Sequence, residues 1–400
     1  MEDLSHKAFQ TRAVHAGERK PAADYTPVST PIWPSVGYLY ESMDDMDAVF
    51  GGAKQGYVYV RYASPTVSAF ETAVASLEGA EAAQAYSSGM AAIHAALLAA
   101  GVKAGTSVVA ALDLYGATFT LLRSLLDSLG VKICMVDVSN LDEVETTLKE
   151  THPVVLVAET ISNPLLKVAD VPSLADLAHR NGAALLIDST FASPYLFNPL
   201  KHGADFAVHS ATKYLSGHGD VLAGVVATSA ANKTKLYELN KLLGSVLGPF
   251  EAWLALRGLK TLPLRMQQQC RNAQQVADWL RSHPRVAKVN YPGLPDAPQH
   301  DLAARLFEGK GNGGVLSFEI KDADKAMVYR FMESLKLCLP ATTLGDIYSL
   351  VLHPATSSHR SLTAEERGRI GIPDGLVRLS TGIESADDIL ADLEAALAKI

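Results

Sequence analysis

The sequence predicts an α/β protein, with a large domain built on a mainly parallel sheet and a smaller α+β domain after it. Three observations carry that prediction. Short apolar, β-branched runs alternate with helical stretches through the middle of the chain, as in strands covered on both faces by crossover helices. A long helical region over 250–281 then separates this pattern from a second set of strands and helices. Finally, 400 residues exceed what one hydrophobic core usually supports.

The elements follow in order. Residues 1–62 lack clear periodicity and are rich in turn formers, among them Pro27, Pro31, Pro34, Gly37, Gly51 and Gly52. An irregular segment of that length seldom stands alone, so it reads as an arm that wraps another surface, such as a second subunit. A helix over 65–77 opens with Pro65 and stops before Gly79. The nearly all-apolar 89–100 reads as a buried helix. Strands are expected at 107–112, 131–137, 154–159, 183–188, 205–209 and 222–227. They complete a large domain over 63–256. The helical region 250–281, interrupted near Pro263, leads into a C-terminal domain over 257–400. There, strands are expected at 286–291, 314–320, 335–339, 350–353 and 376–380, with helices near 324–334 and 387–398.

Composition narrows the function classes. Hydrophobic residues make up 48% and charged residues 20%, and the net charge is −8. That balance gives no general attraction for nucleic acid or anionic lipid. No apolar run approaches a membrane span, and 1–12 has no apolar core of a secretory signal. Three scattered cysteines support neither a disulfide framework nor a zinc site. A reduced, cytoplasmic, metal-free chain is therefore expected.

Several short motifs fall at expected carboxyl ends of strands, where ligands of open α/β sheets bind. His209-Ser210-Ala211-Thr212-Lys213-Tyr214 sets a lysine between small hydroxyls, which suits a Schiff base beside a bound phosphate. A solvated loop lysine is the alternative. Asp188 ends an apolar run one strand–helix–strand step earlier. With a Schiff-base lysine nearby, a carboxylate there keeps the pyridine nitrogen of pyridoxal phosphate protonated; alone, it reads equally as a cap. Ser87-Ser88-Gly89-Met90 precedes the buried helix and offers a phosphate its free N–H groups, or is simply an N-cap. Tyr115, after the strand 107–112, has a ring able to stack on a cofactor and a phenol able to move a proton, though a packed aromatic is the commoner case. Tyr59 and Arg61 share one face of an extended segment and can clamp phosphate, at a distance that points to a neighbouring subunit's site. Arg378, on a strand with apolar neighbours, needs an anion, either a substrate carboxylate or a structural partner. No Gly-x-Gly-x-x-Gly follows the first strand, which argues against a dinucleotide enzyme.

Taken together, these motifs resemble the Cys/Met-metabolism family of pyridoxal-phosphate enzymes, which has the aspartate-aminotransferase-like fold, fold type I. The likeness runs from Tyr59-Val60-Arg61 to Arg378-Leu379-Ser380-Thr381-Gly382-Ile383-Glu384, and includes Gly248-Pro249-Phe250-Glu251 and Arg257-Gly258-Leu259-Lys260-Thr261-Leu262. The resemblance implies that Lys213 is the Schiff-base lysine, Asp188 the ring-nitrogen partner and Tyr115 the stacking residue and a second acid/base. It implies that Ser88, Gly89, Met90, Ser210 and Thr212 hold the phosphate, joined by Tyr59 and Arg61 from a partner subunit. Asn163 would contact the ring hydroxyl, and Arg378 the substrate carboxylate, with Ser349, Tyr348 and Tyr59 nearby. Family members are typically tetramers of two catalytic dimers, so a homotetramer with shared sites is expected.

Two positions depart from the pattern. Tyr348 stands where cystathionine-handling relatives usually carry glutamate. Ala117 replaces the glycine common in the family, or the cysteine of several methionine γ-lyases. The implied reaction is γ-elimination on a sulfur or γ-substituted amino acid, giving a 2-oxo acid and ammonia. The alternative is γ-replacement on an O-acyl-homoserine.

Overall fold

The structure is a computed structural model that describes residues 4, 6–17, 26–360 and 363–400. The remainder of the expected arm, 1–3, 5 and 18–25, lies outside the described residues.

Seven strands form the first sheet: β1 (Ala82–Tyr86), β2 (Ser107–Ala111), β3 (Lys132–Val136), β4 (Val155–Glu159), β5 (Ala184–Asp188), β6 (Phe206–His209) and β7 (Gly224–Thr228). Their order is β1-β7-β6-β5-β4-β2-β3. All neighbours from β6 through to β3 pair in parallel, and only β7 runs against the rest. The six expected strands are all present, shifted by a residue or two at their ends. One expected boundary moves for a visible reason: β7 starts at Gly224 rather than at 222, because Leu222 is exposed and turned to the cavity described below.

The expectation omitted β1. Its sequence, Ala-Ala-Gln-Ala-Tyr, has neither alternation nor β-branching, and it becomes a strand only by pairing along its whole length with β7.

The second sheet, in the order β10-β11-β12-β9-β8, comprises β8 (Val286–Asn290), β9 (Val315–Ile320), β10 (Leu339–Pro340), β11 (Leu350–Leu352) and β12 (Leu376–Ser380). It is antiparallel except for β10 with β11. The strand expected at 335–339 shrinks to the two residues of β10, because 335–338 turns away to donate three backbone N–H groups to the Asp392 carboxylate.

Two buried apolar clusters hold the chain, one around each sheet. The expected helical region is two helices, Pro249–Leu259 and Leu262–Arg281, and Pro263 sits in the first turn of the second rather than breaking it. Along this second helix Met266 and Cys270 pack into the first cluster, and Ala273, Val276, Ala277 and Leu280 into the second. One amphipathic rod thus fixes the two sheets to each other.

Among its described residues the arm carries two helices that the sequence did not signal, Phe9–His15 and Met43–Phe50. Ala13 and Ala16 are buried in the first core, and Trp33 N–H donates to Thr66 Oγ1 at 2.9 Å. Further on, Val28, Leu39 and Met43 are strongly exposed.

The parallel strands share one edge at their carboxyl ends. Asp188 ends β5 and Glu159 ends β4, paired in register, while the turn holding Lys213 follows β6. The end of β6 is pinned from behind: His209 Nε2 lies 2.6 Å from Glu78 Oε1, and both side chains are fully buried.

Candidate active site

A cavity of about 210 Å³ opens at this edge, roofed by the loop before β11 and by β12. It is lined by Ser88, Gly89, Met90, Tyr115, Asn163, Asp188, Ser210, Thr212, Lys213 and Arg378. Residues separated by nearly 300 positions in the sequence meet there because the loops after β1, β2, β4, β5 and β6 leave one edge of the first sheet, and β12 of the second sheet covers that edge. A larger groove, about 520 Å³, runs along β8 and contains none of them.

Ser88 caps the helix Gly89–Ala99, its Oγ accepting the Ala91 N–H at 3.2 Å. The first-turn N–H groups of such a helix have no partner within it and favour an anion. Gly89 is required by close approach, since a Cβ there would sit 2.8 Å from Ser210 Cβ. Ser210 N–H donates to Thr190 Oγ1 at 2.9 Å, and the Thr212 hydroxyl pairs with the backbone of Ala223.

Asp188 Oδ1 accepts both the N–H and the hydroxyl of Thr190, at 3.0 and 2.5 Å. Burial pushes its pKa up, opposed by the Thr190 hydrogen bonds and by His209.

Lys213 Nζ donates to Thr343 Oγ1 at 2.8 Å. Burial, and then the charge of Arg378, push this amine down to about 8, with Asp346 acting the other way. Arg378 is 3% exposed; its Nη1 donates to Asn163 Oδ1 at 3.1 Å and its Nη2 to Thr343 O at 3.0 Å. Its Nε is buried with no hydrogen-bond partner.

Four expected residues do not line this cavity. The Arg61 guanidinium donates to Lys241 O and lies against the rings of Tyr59 and Tyr62. Ser349 is fully buried, its hydroxyl donating to Glu384 Oε2 at 2.9 Å and accepting the Gly382 N–H at 3.0 Å, so this hydroxyl braces β11. Tyr348 is half exposed and outside the cavity wall.

Sequence reasoning also missed residues. Thr190 had a readable signal, a hydroxyl two positions after an aspartate, where it commonly bonds back. Glu159 had the same signal as Asp188, a carboxylate ending an apolar run at a strand's carboxyl end, whereas Thr343 had none, because tertiary contacts alone bring it in.

The donor set fits pyridoxal phosphate. It combines a helix N-terminus with two serines for the phosphate, a half-buried carboxylate steadied by Thr190 for the ring nitrogen, and a lysine with a depressed pKa. An arginine, Arg378, also lines the cavity and suits a carboxylate. Fold and site together define a pyridoxal-phosphate-dependent enzyme of fold type I.

Comparison with known proteins agrees. The model of the family described as "Cys/Met metabolism PLP-dependent enzyme" matches residues 10–398. An L-methionine gamma-lyase of Fusobacterium nucleatum subsp. nucleatum is 43% identical over 100% of both chains. An O-succinylhomoserine sulfhydrylase of Pseudomonas aeruginosa is 39% identical over 100% of this chain and 97% of its own. The crystal structure of cystathionine gamma-lyase from Lactobacillus plantarum complexed with L-serine superposes with a TM-score of 0.91 at 36% identity, covering 98% of this chain and 99% of that one. The chain belongs to the Cys/Met metabolism family of pyridoxal-phosphate-dependent enzymes. No described helix is long and apolar enough to cross a membrane.

Proposed function

We propose that this chain is a γ-eliminating lyase acting on a sulfur or γ-substituted amino acid such as methionine, homocysteine or cystathionine, with a 2-oxo acid and ammonia as products. The observation that carries this reading is the full-length likeness to an L-methionine gamma-lyase, at 43% identity.

In this reading Ser88, Gly89, Met90, Ser210 and Thr212 hold the cofactor's phosphate, Tyr115 covers the ring and Asn163 orients its hydroxyl. When bound, pyridoxal phosphate supplies an electron-poor ring that takes up the electrons left as the substrate's α-proton departs. Asp188 keeps a proton on the ring nitrogen, which maintains that electron demand. Lys213 would hold the cofactor covalently, and with substrate present its amine would be free. Its freed Nζ then takes the α-proton and delivers it onward, an exchange favoured by a pKa near 8, and the Tyr115 phenol is a second proton carrier. Arg378, whose guanidinium lines the cavity, grips the substrate carboxylate. A second proton removal, from the β-carbon, then expels the γ-substituent with its bonding electrons, and water releases the remaining carbon skeleton as a 2-oxo acid and ammonia.

The likeness to an O-succinylhomoserine sulfhydrylase favours a second reading, γ-replacement on an O-acyl-homoserine. Both reactions use the same proton transfers and part only when a thiol is or is not added. Methionine, homocysteine, cystathionine and O-acyl-homoserines, each offered with and without a thiol, separate them. The lyase reading expects 2-oxobutanoate and ammonia without a thiol. A thioether product with no 2-oxo acid from any donor would refute it.

The same proposal includes three units, an arm (1–62), a large domain (63–256) and a C-terminal domain (257–400), in a cytoplasmic homotetramer. Support comes from the two separate cores and from the exposed apolar side chains of the arm. Tyr59 and Arg61 then complete a partner's phosphate site. Mixing inactive Lys213→Ala chains with inactive Arg61→Ala chains is expected to restore activity in a fraction of hybrid sites. Verified subunit exchange with no recovered activity would mean that each site is built from one chain.

A further inference from the structure

Glu159 has no part in the roles assigned so far, yet it occupies the middle of the cavity floor. It ends β4, and β4 lies between β5, which ends in Asp188, and β2, which leads into Tyr115. Its side chain is 8% exposed and lines the cavity. Glu159 Oε1 accepts the Tyr115 backbone N–H at 2.6 Å, and the Asn163 backbone N–H also hydrogen-bonds this carboxyl. Tyr115 stands at the start of the short helix Gly116–Thr120, has no side-chain cap and is 43% exposed, so few other contacts fix the direction of its ring.

We propose that Glu159 is a positioning residue for the cofactor, a tether from the sheet floor that sets the stacking ring of Tyr115 and, with it, the backbone of Asn163. This rests on the stacking role given to Tyr115 above. The surroundings favour an uncharged tether. Burial, then the neighbouring charge of Asp188 and that of Asp113, push the Glu159 pKa well above the usual carboxylate range, and the two backbone N–H groups oppose them only in part. A neutral acid beside Asp188 keeps a single negative charge on the floor, the one facing the ring nitrogen, and still accepts the Tyr115 N–H through its carbonyl oxygen.

The test reads cofactor binding rather than turnover, so it is independent of the substrate and of elimination versus replacement. Apoproteins of Glu159→Ala, Glu159→Gln, Tyr115→Ala and the Glu159→Ala/Tyr115→Ala double variant are titrated with pyridoxal phosphate. Visible circular dichroism reports the asymmetry around the bound ring, and thermal unfolding reports folding. Glu159→Ala is expected to weaken cofactor affinity by about 10-fold and to diminish the visible dichroism. Glu159→Gln, which retains an acceptor oxygen and no charge, is expected to stay within about threefold of the parent. In the Tyr115→Ala background most of the effect of Glu159→Ala should vanish, because the tether has no ring left to aim. Losses that multiply independently, or parental affinity and dichroism in Glu159→Ala, would overturn the tether while leaving the stacking role of Tyr115 intact. If Tyr115→Ala itself leaves affinity unchanged, the stacking role and the tether fall together. Should Glu159→Ala not fold, the Gln variant decides alone: a loss as large as that of Tyr115→Ala overturns the proposal.

Discussion

Lys213→Ala is expected to lower turnover by at least about 10⁴-fold, because it removes the covalent anchor and the proton carrier together. The purified variant should also lack the visible absorbance of a lysine-linked cofactor, and borohydride should fix no cofactor to the chain. A surviving, borohydride-sensitive band would refute the assignment. The parent lysine carries a pH signature of its own. Only the neutral amine attacks the cofactor's aldehyde, and burial together with Arg378 brings the Lys213 amine down to about 8. The rate at which apoprotein takes up pyridoxal phosphate should therefore rise as pH climbs through about 8 and then level off. An unshifted lysine would keep gaining rate past pH 10.

Arg378→Ala is expected to reduce kcat/KM for amino-acid substrates by about 10²–10³-fold, most of it in KM, because a buried, charge-assisted grip on the carboxylate is lost. Arg378→Lys should recover only part of that, since an ammonium replaces a planar fork with a point charge. The control is a substrate amide, which lacks the carboxylate: parent and Arg378→Ala should differ far less on it. An equal loss on acid and amide would instead make Arg378 a brace for Asn163 and Thr343, the two groups it already bonds. The Ala variant also removes a positive neighbour of Lys213, so the midpoint of cofactor uptake should move upward in pH.

These two residues illustrate different degrees of legibility. Lys213 and Asp188 were readable because each ends or follows a continuous apolar run, and parallel strands send their carboxyl ends to one edge. Arg378 was readable only as a charge on an apolar strand in need of an anion. Its actual partners, Asn163 and the Thr343 carbonyl, belong to segments with no sequence periodicity in common. Ser349 shows the same limit. Nothing in its motif signalled the partners that packing gave its hydroxyl, Glu384 and Gly382. β1 was missed because its residues have no strand character apart from their pairing with β7.

By itself, the sequence determined the α/β class, most strand positions, the single edge at which chemistry occurs and the family to which the motifs belong. Those properties depend on local signals: hydrophobic runs, turn residues and short spacings, which act over one or two elements. Only the tertiary structure decided which side chains share the cavity, that Arg378 keeps one donor free, that Glu159 lies between Asp188 and Tyr115, and that Lys213 is a weakened base. Those properties depend on distances between segments far apart in the chain and on how much water each pair excludes. Burial sets the strength of every charge interaction in the site, and burial is a property of the packed whole.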